Sequence, residues 1–245
     1  MAKKPKATPF KRSRRIEERY ARELRKVARE IGRIVGAFPT GDPGSLPELQ
    51  RTLAKYSDVI EPWARSVATN MLFESARQDE RLWAEGTRAM SNALKIELRG
   101  APIGQELRKR LADQVKLIKS LPTDAAQRVH TLTLEGLTSG ARAKEIAAKI
   151  LETGNVTAAR ATLIARTEVS RTSSELTMVR AQHVGSEGYI WRTSDDADVR
   201  DSHKRMAGRF VSWDKPPTLD GLTGHAGCLP NCRCYPEPVI PEEGS

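Results

Sequence analysis

Apolar residues recur at steps of three and four from the start of the first regular pattern: Ile16, Tyr20, Leu24, Val27, Ile31, Ile34 and Phe38. That spacing predicts an amphipathic helix with one narrow apolar stripe and its other faces crowded with arginine. Such a helix needs a surface to dock on, either the protein's own body or a partner such as nucleic acid. The Gly/Pro cluster GAFPTGDPGSLP at 36–47 predicts a linker. After Pro62 the pattern stays helical, with Trp63, Val67, Met71, Leu72, Leu82, Trp83, Met90, Leu94 and Leu98 on recurring turns, as one long helix or two stacked ones. GAPIG at 100–104 breaks it. A further helix follows and is expected to end at Leu121-Pro122, where Thr123 caps a new one. A short helix after Ser139 is expected to stop at Gly154-Asn155, and a long one to run on to Gly185.

Beyond Gly185 the period changes. The segments 188–194 (GYIWRTS) and 209–213 (RFVSW) are short, aromatic and β-branched, as strands are. The polar stretch between them predicts a turn and at most one helical turn. From Asp214 prolines dominate, and CYPEPVI is expected to supply no more than an edge strand. The fold expected is mostly α: a long-helix N-terminal region and a small C-terminal α+β module that ends in an irregular Pro/Cys-rich tail.

Charge adds a location. The 245-residue chain carries a net charge of +10. Residues 1–40 hold thirteen cations: Lys3, Lys4, Lys6, Lys11, Arg12, Arg14, Arg15, Arg19, Arg22, Arg25, Lys26, Arg29 and Arg33. Only four acids oppose them there, Glu17, Glu18, Glu23 and Glu30. The remainder is therefore close to neutral, and the basic segment suits a polyanion, either nucleic acid or an acidic protein surface. No apolar run approaches the ~20 residues of a bilayer span. The basic start lacks an apolar core, so it does not read as a secretory signal, and a membrane is not an expected partner. The compartment expected is the reducing cytoplasm, or a particle assembled there.

All three cysteines lie in HAGCLPNCRC, residues 225–234: Cys228, Cys232 and Cys234. Three thiolates at this spacing can surround one Zn²⁺ if Pro230-Asn231 turns tightly, with His203 or His225 as a fourth donor. His203 comes from a distant segment, so it would staple the polar loop to the tail. Free thiols, or a redox or assembly role for Cys232 and Cys234, are the other readings. There is no phosphate-binding loop, no GxSxG and no HExxH. No catalytic residue is assigned and an enzyme is not expected. The enzymatic alternative is a nuclease or transferase that uses His203, Arg166, Glu168 and the cluster Asp195, Asp196, Asp198 and Asp201.

The order of several residues resembles the C-terminal domain of phage head-morphogenesis proteins, the Mu F-like minor head family. They are Arg166-Thr167-Glu168, Trp191, Asp198, Arg200, His203, Gly208 and Asn231-Cys232-Arg233-Cys234, spread over roughly residues 156–240. The resemblance implies a minor component of a tailed-phage head. It would bind the portal during procapsid assembly, alongside capsid or scaffold proteins, and would meet packaged DNA. It would sit in the virion head interior after a period in the host cytoplasm. Segments 1–40 (basic arm and amphipathic helix), 41–155 (helical domain) and 156–245 (head-morphogenesis module) follow from this reading. Where many relatives have a histidine before Pro-Asn-Cys-Arg-Cys, this chain has Leu229. Cys228 is then either a substitute metal ligand, with His203, Cys232 and Cys234, or a bystander. A protein that binds DNA through its basic arm is the alternative function.

Overall fold

The computed structural model describes residues 13–39, 42–86, 92–139 and 142–241. Among them the order is α1 (Arg14–Gly36), a 3-10 turn (Pro43–Ser45), α2 (Leu46–Val59), α3 (Glu61–Gly86), α4 (Asn92–Gly100), α5 (Ile103–Ser139), α6 (Ala143–Leu151) and α7 (Thr153–His183). Then come β1 (Gly188–Thr193), α8 (Asp201–Lys204), β2 (Phe210–Ser212), β3 (Thr218–Leu219), β4 (Leu222–Thr223) and β5 (Cys234–Val239). The chain is mostly α with a small C-terminal sheet, as its periodicity predicts. No helix among the described residues is long and apolar enough to cross a membrane.

Two compact units divide the chain. One comprises residues 1–16, 71–110 and 166–245, the other residues 17–70 and 111–165. These units do not coincide with the segments 1–40, 41–155 and 156–245, because α3, α5 and α7 each contribute residues to both.

In the second unit the apolar stripe of α1 is interior. Tyr20, Leu24, Val27, Ile31 and Ile34 are buried, joined by Ala21, Ala28 and Val35, so the stripe is wider than the sequence indicated. Phe38 falls beyond the helix and is half-buried. Tyr20 Oη donates to Gln114 Oε1 at 2.9 Å, which satisfies two buried polar groups of α1 and α5 at once.

One expected helix break is absent, and another falls slightly earlier, at Glu152 between α6 and α7. Pro122 lies inside the 37-residue α5 rather than ending it. A mid-helix proline removes one backbone bond and clashes with the preceding turn, at about 3 kcal/mol. Here Ile118, Leu121, Ala125 and Val129 bury one face on both sides of it. Ser57 Oγ of α2 donates to the Lys119 carbonyl at 2.8 Å, so a hydroxyl from another helix serves the backbone beside the interruption. Thr123 accordingly caps nothing; its hydroxyl donates back to Lys119 O.

Gly154-Asn155 does not end a helix either, because α7 already begins at Thr153. The glycine is there for a close approach: a Cβ on Gly154 would lie 3.1 Å from the Gly32 Cα of α1. The break expected at GAPIG falls where the sequence places it, at Ala101-Pro102 between α4 and α5, while residues 87–91, Met90 among them, lie outside the described residues.

In the first unit α7 ends in a left-handed glycine. Gly185 has φ +81°, and Ser186 N reaches back to Ala181 O at 2.9 Å. The chain then enters β1, the central strand of an antiparallel sheet ordered β2-β1-β5. Alternation places Tyr189, Trp191 and Thr193 inward. Pro236 and Pro238 of the edge strand β5 sit opposite Trp191 and Tyr189. The Trp191 N–H donates away from β5, to Arg209 O at 2.8 Å. The β3–β4 hairpin, closed by Asp220-Gly221 with both φ positive, is regular structure that the proline count concealed. Trp83, Leu98, Ala181, Tyr189, Trp191, Val211, Trp213, Leu229, Cys232 and Cys234 share one core. Trp83 is thus a packing residue, whereas Trp63 is only half-buried.

The Gly32/Gly154 contact gives a direct expectation. Gly154→Val should lower unfolding stability by about 1–3 kcal/mol through overpacking. A urea midpoint equal to the wild type's would show that the two backbones do not need this approach.

Candidate metal centre

The tail between β4 and β5 is positioned from two sides. Gly227, at φ +83°, begins the approach to α7. A Cβ there would overlap Ser174 Oγ and lie 3.1 Å from Cys234 O, so no other residue fits without displacing the loop. Along the same side of α7, Arg166 Nη1 donates to Asn231 Oδ1 at 2.9 Å, and Thr167 Oγ1 accepts from Asn231 N at 3.1 Å. Arg171 donates to the Cys228 carbonyl through Nε at 3.1 Å and Nη2 at 2.9 Å. From the loop after β1, Arg200 Nη2 donates to Pro230 O at 2.6 Å. Asp196 and Asp198 take the Arg233 guanidinium at 2.8 and 2.7 Å. Asn231 itself has φ +53°, which makes the tight turn that Pro230-Asn231 predicts.

This clasp brings Cys232 and Cys234 to the buried end of α8. His203 Nδ1 lies 3.4 Å from both sulfurs. The three residues are 1%, 1% and 4% exposed for His203, Cys232 and Cys234. Trp191 meets the His203 ring edge-on, with centroids 5.6 Å apart. Gly208, at φ +80°, donates its N–H to Trp191 O at 2.9 Å and turns the chain from α8 into β2. The Cys232 sulfur accepts two backbone N–H groups, from Gly227 and Cys234, each at 3.4 Å. The Cys234 thiol, His203 and these amides together draw the Cys232 thiol down to about 4, against its burial. Cys234 moves the opposite way, because it shares its proton with the Cys232 sulfur and is itself buried.

Ligand atoms of His203, Cys232 and Cys234 lie within 4.8 Å of one another, the spacing a single metal ion needs. A tetrahedral ion with bonds of ~2.0 Å to nitrogen and ~2.3 Å to sulfur holds those donors about 3.5 Å apart. The observed 3.4 Å therefore fits, and one nitrogen with two sulfurs is a donor set that suits zinc.

Cys228 is not in this group. Burial pushes its thiol up to about 12, and what the fold uses is its carbonyl, held by Arg171. His225 is also elsewhere: its Nδ1 sits 3.2 Å from Tyr189 Oη, which in turn accepts from Ala226 N at 3.1 Å. His130 is half-buried and His183 exposed.

Glu168 is enclosed by Arg110 at 2.6 Å and Arg171 at 2.9 Å, so it is an ion-pair residue, 58 positions from the first of these partners. Arg166 and Glu168 serve different neighbours. Asp195 and Asp201 stay at the loop and at the start of α8, where Asp195 meets Thr193 and Asp201 meets Lys204.

Sequence reasoning missed Arg110, Arg171, Glu175 and Gly227. Only the glycine carried a local signal, as a turn former beside the cysteines. Of the thirteen basic residues singled out, Lys3, Lys4, Lys6, Lys11 and Arg12 lie outside the described residues. Arg14, Arg15, Arg19, Arg22, Lys26, Arg29 and Arg33 are exposed on α1, and Arg25 is half-buried against Thr162.

Glu175, 3.0 Å from Arg110 Nε, is pushed up to about 6, chiefly by burial and also by Glu106; Arg110, Arg171 and Lys109 oppose the shift. An acid whose folded pKa exceeds its unfolded value binds an extra proton in the folded state between the two. Stability from Glu175 should therefore fall as pH rises from about 4.5 to 6.5. Measured against Glu175→Gln, the wild type should lose about 1–2 kcal/mol across that window. A difference that stays flat or rises with pH would contradict the burial of this carboxyl.

Residues 127–236 match the family model described as Phage Mu protein F like protein. The chain is 30% identical over 259 aligned positions to an uncharacterized protein of Haemophilus influenzae, an alignment that covers 98% of this chain and 56% of the relative. It thus spans little more than half the length of that relative. No solved structure matches. The residues that clasp the tail, from Arg166 to Cys234, all fall inside residues 127–236, the span over which this chain is similar to the Phage Mu protein F like family.

Proposed function

We propose that the protein is a minor head component of a tailed phage, bound at the portal during procapsid assembly. One observation carries this reading beyond the family match. Arg166, Thr167, Arg171, Asp196, Asp198 and Arg200 are spent on holding the tail, around a centre whose His203, Cys232 and Cys234 are at most 4% exposed. A centre closed this tightly holds the tail in place and leaves a substrate no access to its donors. That favours an assembly role over a nuclease or transferase. The portal, with capsid or scaffold proteins around it, is the expected partner, and the head interior the expected location. The basic N-terminal segment would face packaged DNA.

Zinc is the cofactor this reading takes. His203, Cys232 and Cys234 would hold it, and it would supply a tie between α8 and the tail that replaces apolar burial there. The chain's part is to deliver three donors already spaced for it and to hold Cys232 as a thiolate with two backbone N–H groups.

Two experiments test these points. Heads purified from the phage or prophage that encodes the chain should contain it, and the full chain should co-purify with the portal protein. Normal infectious heads formed without it would overturn the assembly role. Elemental analysis of the purified chain should give about one zinc per molecule, lost in Cys232→Ser. Chelation should lower the melting temperature of the wild type and leave the variant's unchanged. A folded wild type free of metal would end the zinc assignment.

A further inference from the structure

The described cations of α1 are ordered. Arg19, Arg22, Lys26, Arg29 and Arg33 recur at steps of three and four, so at ~100° per residue they fall within about 80° of arc. All five are exposed. The buried stripe from Tyr20 to Ile34 occupies the opposite side of the same helix. Anchored by that side, α1 presents a straight row of positive charge ~21 Å long, at ~1.5 Å per residue. Lys26 and Arg33 each pair with a glutamate three residues earlier, at 2.7 and 2.5 Å, on the exposed surface. Surface pairs of this kind contribute about 0–1 kcal/mol, little enough for a phosphate to displace them.

We infer that this face of α1 is a rail for the phosphate backbone of duplex DNA. The inference deepens the DNA contact in the reading above and rests on it. Three features select the occupant. First, the five cations repeat regularly along the helix, as phosphates do along a backbone, and the acids beside them, Glu23 and Glu30, sit in surface pairs that a phosphate can displace. Second, none of the exposed large apolar side chains among the described residues lies on α1, whereas a protein interface needs a desolvated apolar centre. Third, the row contains no aromatic residue on which the bases of a single strand could stack. Contacts of this kind read no sequence, so the rail would hold any duplex and would release it as salt rises.

The test titrates a fluorescein-labelled duplex of mixed sequence with the full chain, by anisotropy over a NaCl series. Two triple variants remove the same charge from exposed helix positions: Arg19/Arg22/Arg29→Gln on the rail, and Arg51/Lys55/Arg65→Gln on α2 and α3. At about −0.9 in log–log slope per phosphate contact, the rail variant should flatten the salt dependence by about 2–3 and weaken low-salt binding by about tenfold or more. The control should keep the wild-type slope, and both should keep the wild-type melting temperature. Equal losses in the two variants, or no salt-dependent duplex binding by the wild type, would overturn the rail. So would a rail variant that binds DNA normally but no longer co-purifies with the portal, since the face would then serve an acidic protein. Incorporation into heads, scored on the same variants, separates this failure from failure of the assembly role.

Discussion

The Cys232 sulfur is the point on which the C-terminal module depends. Two backbone amides, a thiol and an imidazole converge on it in a pocket almost without solvent. Polar groups in so dry a pocket are tolerated only because each finds a partner. The segment that carries it cannot fold by its own means: it is rich in proline and supplies one edge strand. Its shape is therefore set from outside, by α7 through Arg166, Thr167 and Arg171, and by the loop after β1 through Asp196, Asp198 and Arg200. Removing one member leaves the others buried with an unmet demand. The members act as a unit whose losses do not add.

Helical periodicity was the most legible part of the chain, because burial of one face repeats every turn whatever lies beyond it. The breakers were less legible, because the same residue can stop a helix or bring two backbones together. Gly154 reads locally as a stop, but opposite Gly32 it is a contact. Pro122 reads as an end, but inside a buried face its cost is outweighed by the residues on either side. Neither decision is local, since each is made by a partner more than 60 residues away in the chain: Gly32 on α1, and Ser57 on α2 beside the proline. The tail erred in the opposite direction. Counting prolines hid the Asp220-Gly221 hairpin, whereas β5 runs where CYPEPVI was read as an edge strand, since such a strand can carry prolines whose missing N–H points away from its neighbour.

At the site, the residue types were visible and their pairing was not. The ordered set from Arg166 to Cys234 could be read from the chain, and so could the chemistry of one histidine and two cysteines. What could not be read is that Asn231 is held by Arg166 and Thr167 together, or that Arg233 bridges Asp196 and Asp198. Cys228 drew attention for its sulfur, yet the fold uses its carbonyl. Arg110, which closes over Glu168 and Glu175, has no local signal, because a buried ion pair is defined by its partner's position in space.

The same pairing divides the protein's positive charge into two populations. Arg110, Arg166, Arg171, Arg200 and Arg233 are each engaged with acids, amides or carbonyls of the module. They are spent on the fold, and their presence in the net charge says nothing about an external partner. The cations of α1 stand on a helix already anchored by its apolar side, and their position is decided by the helix rather than by acids buried among them. Charge that is positioned by a rigid element and left at the surface needs no reorganisation to meet a polyanion. For this chain the position of its arginines is therefore more informative than their number. Those near the cysteines explain why the module is closed, and those on α1 line an exposed face of that helix.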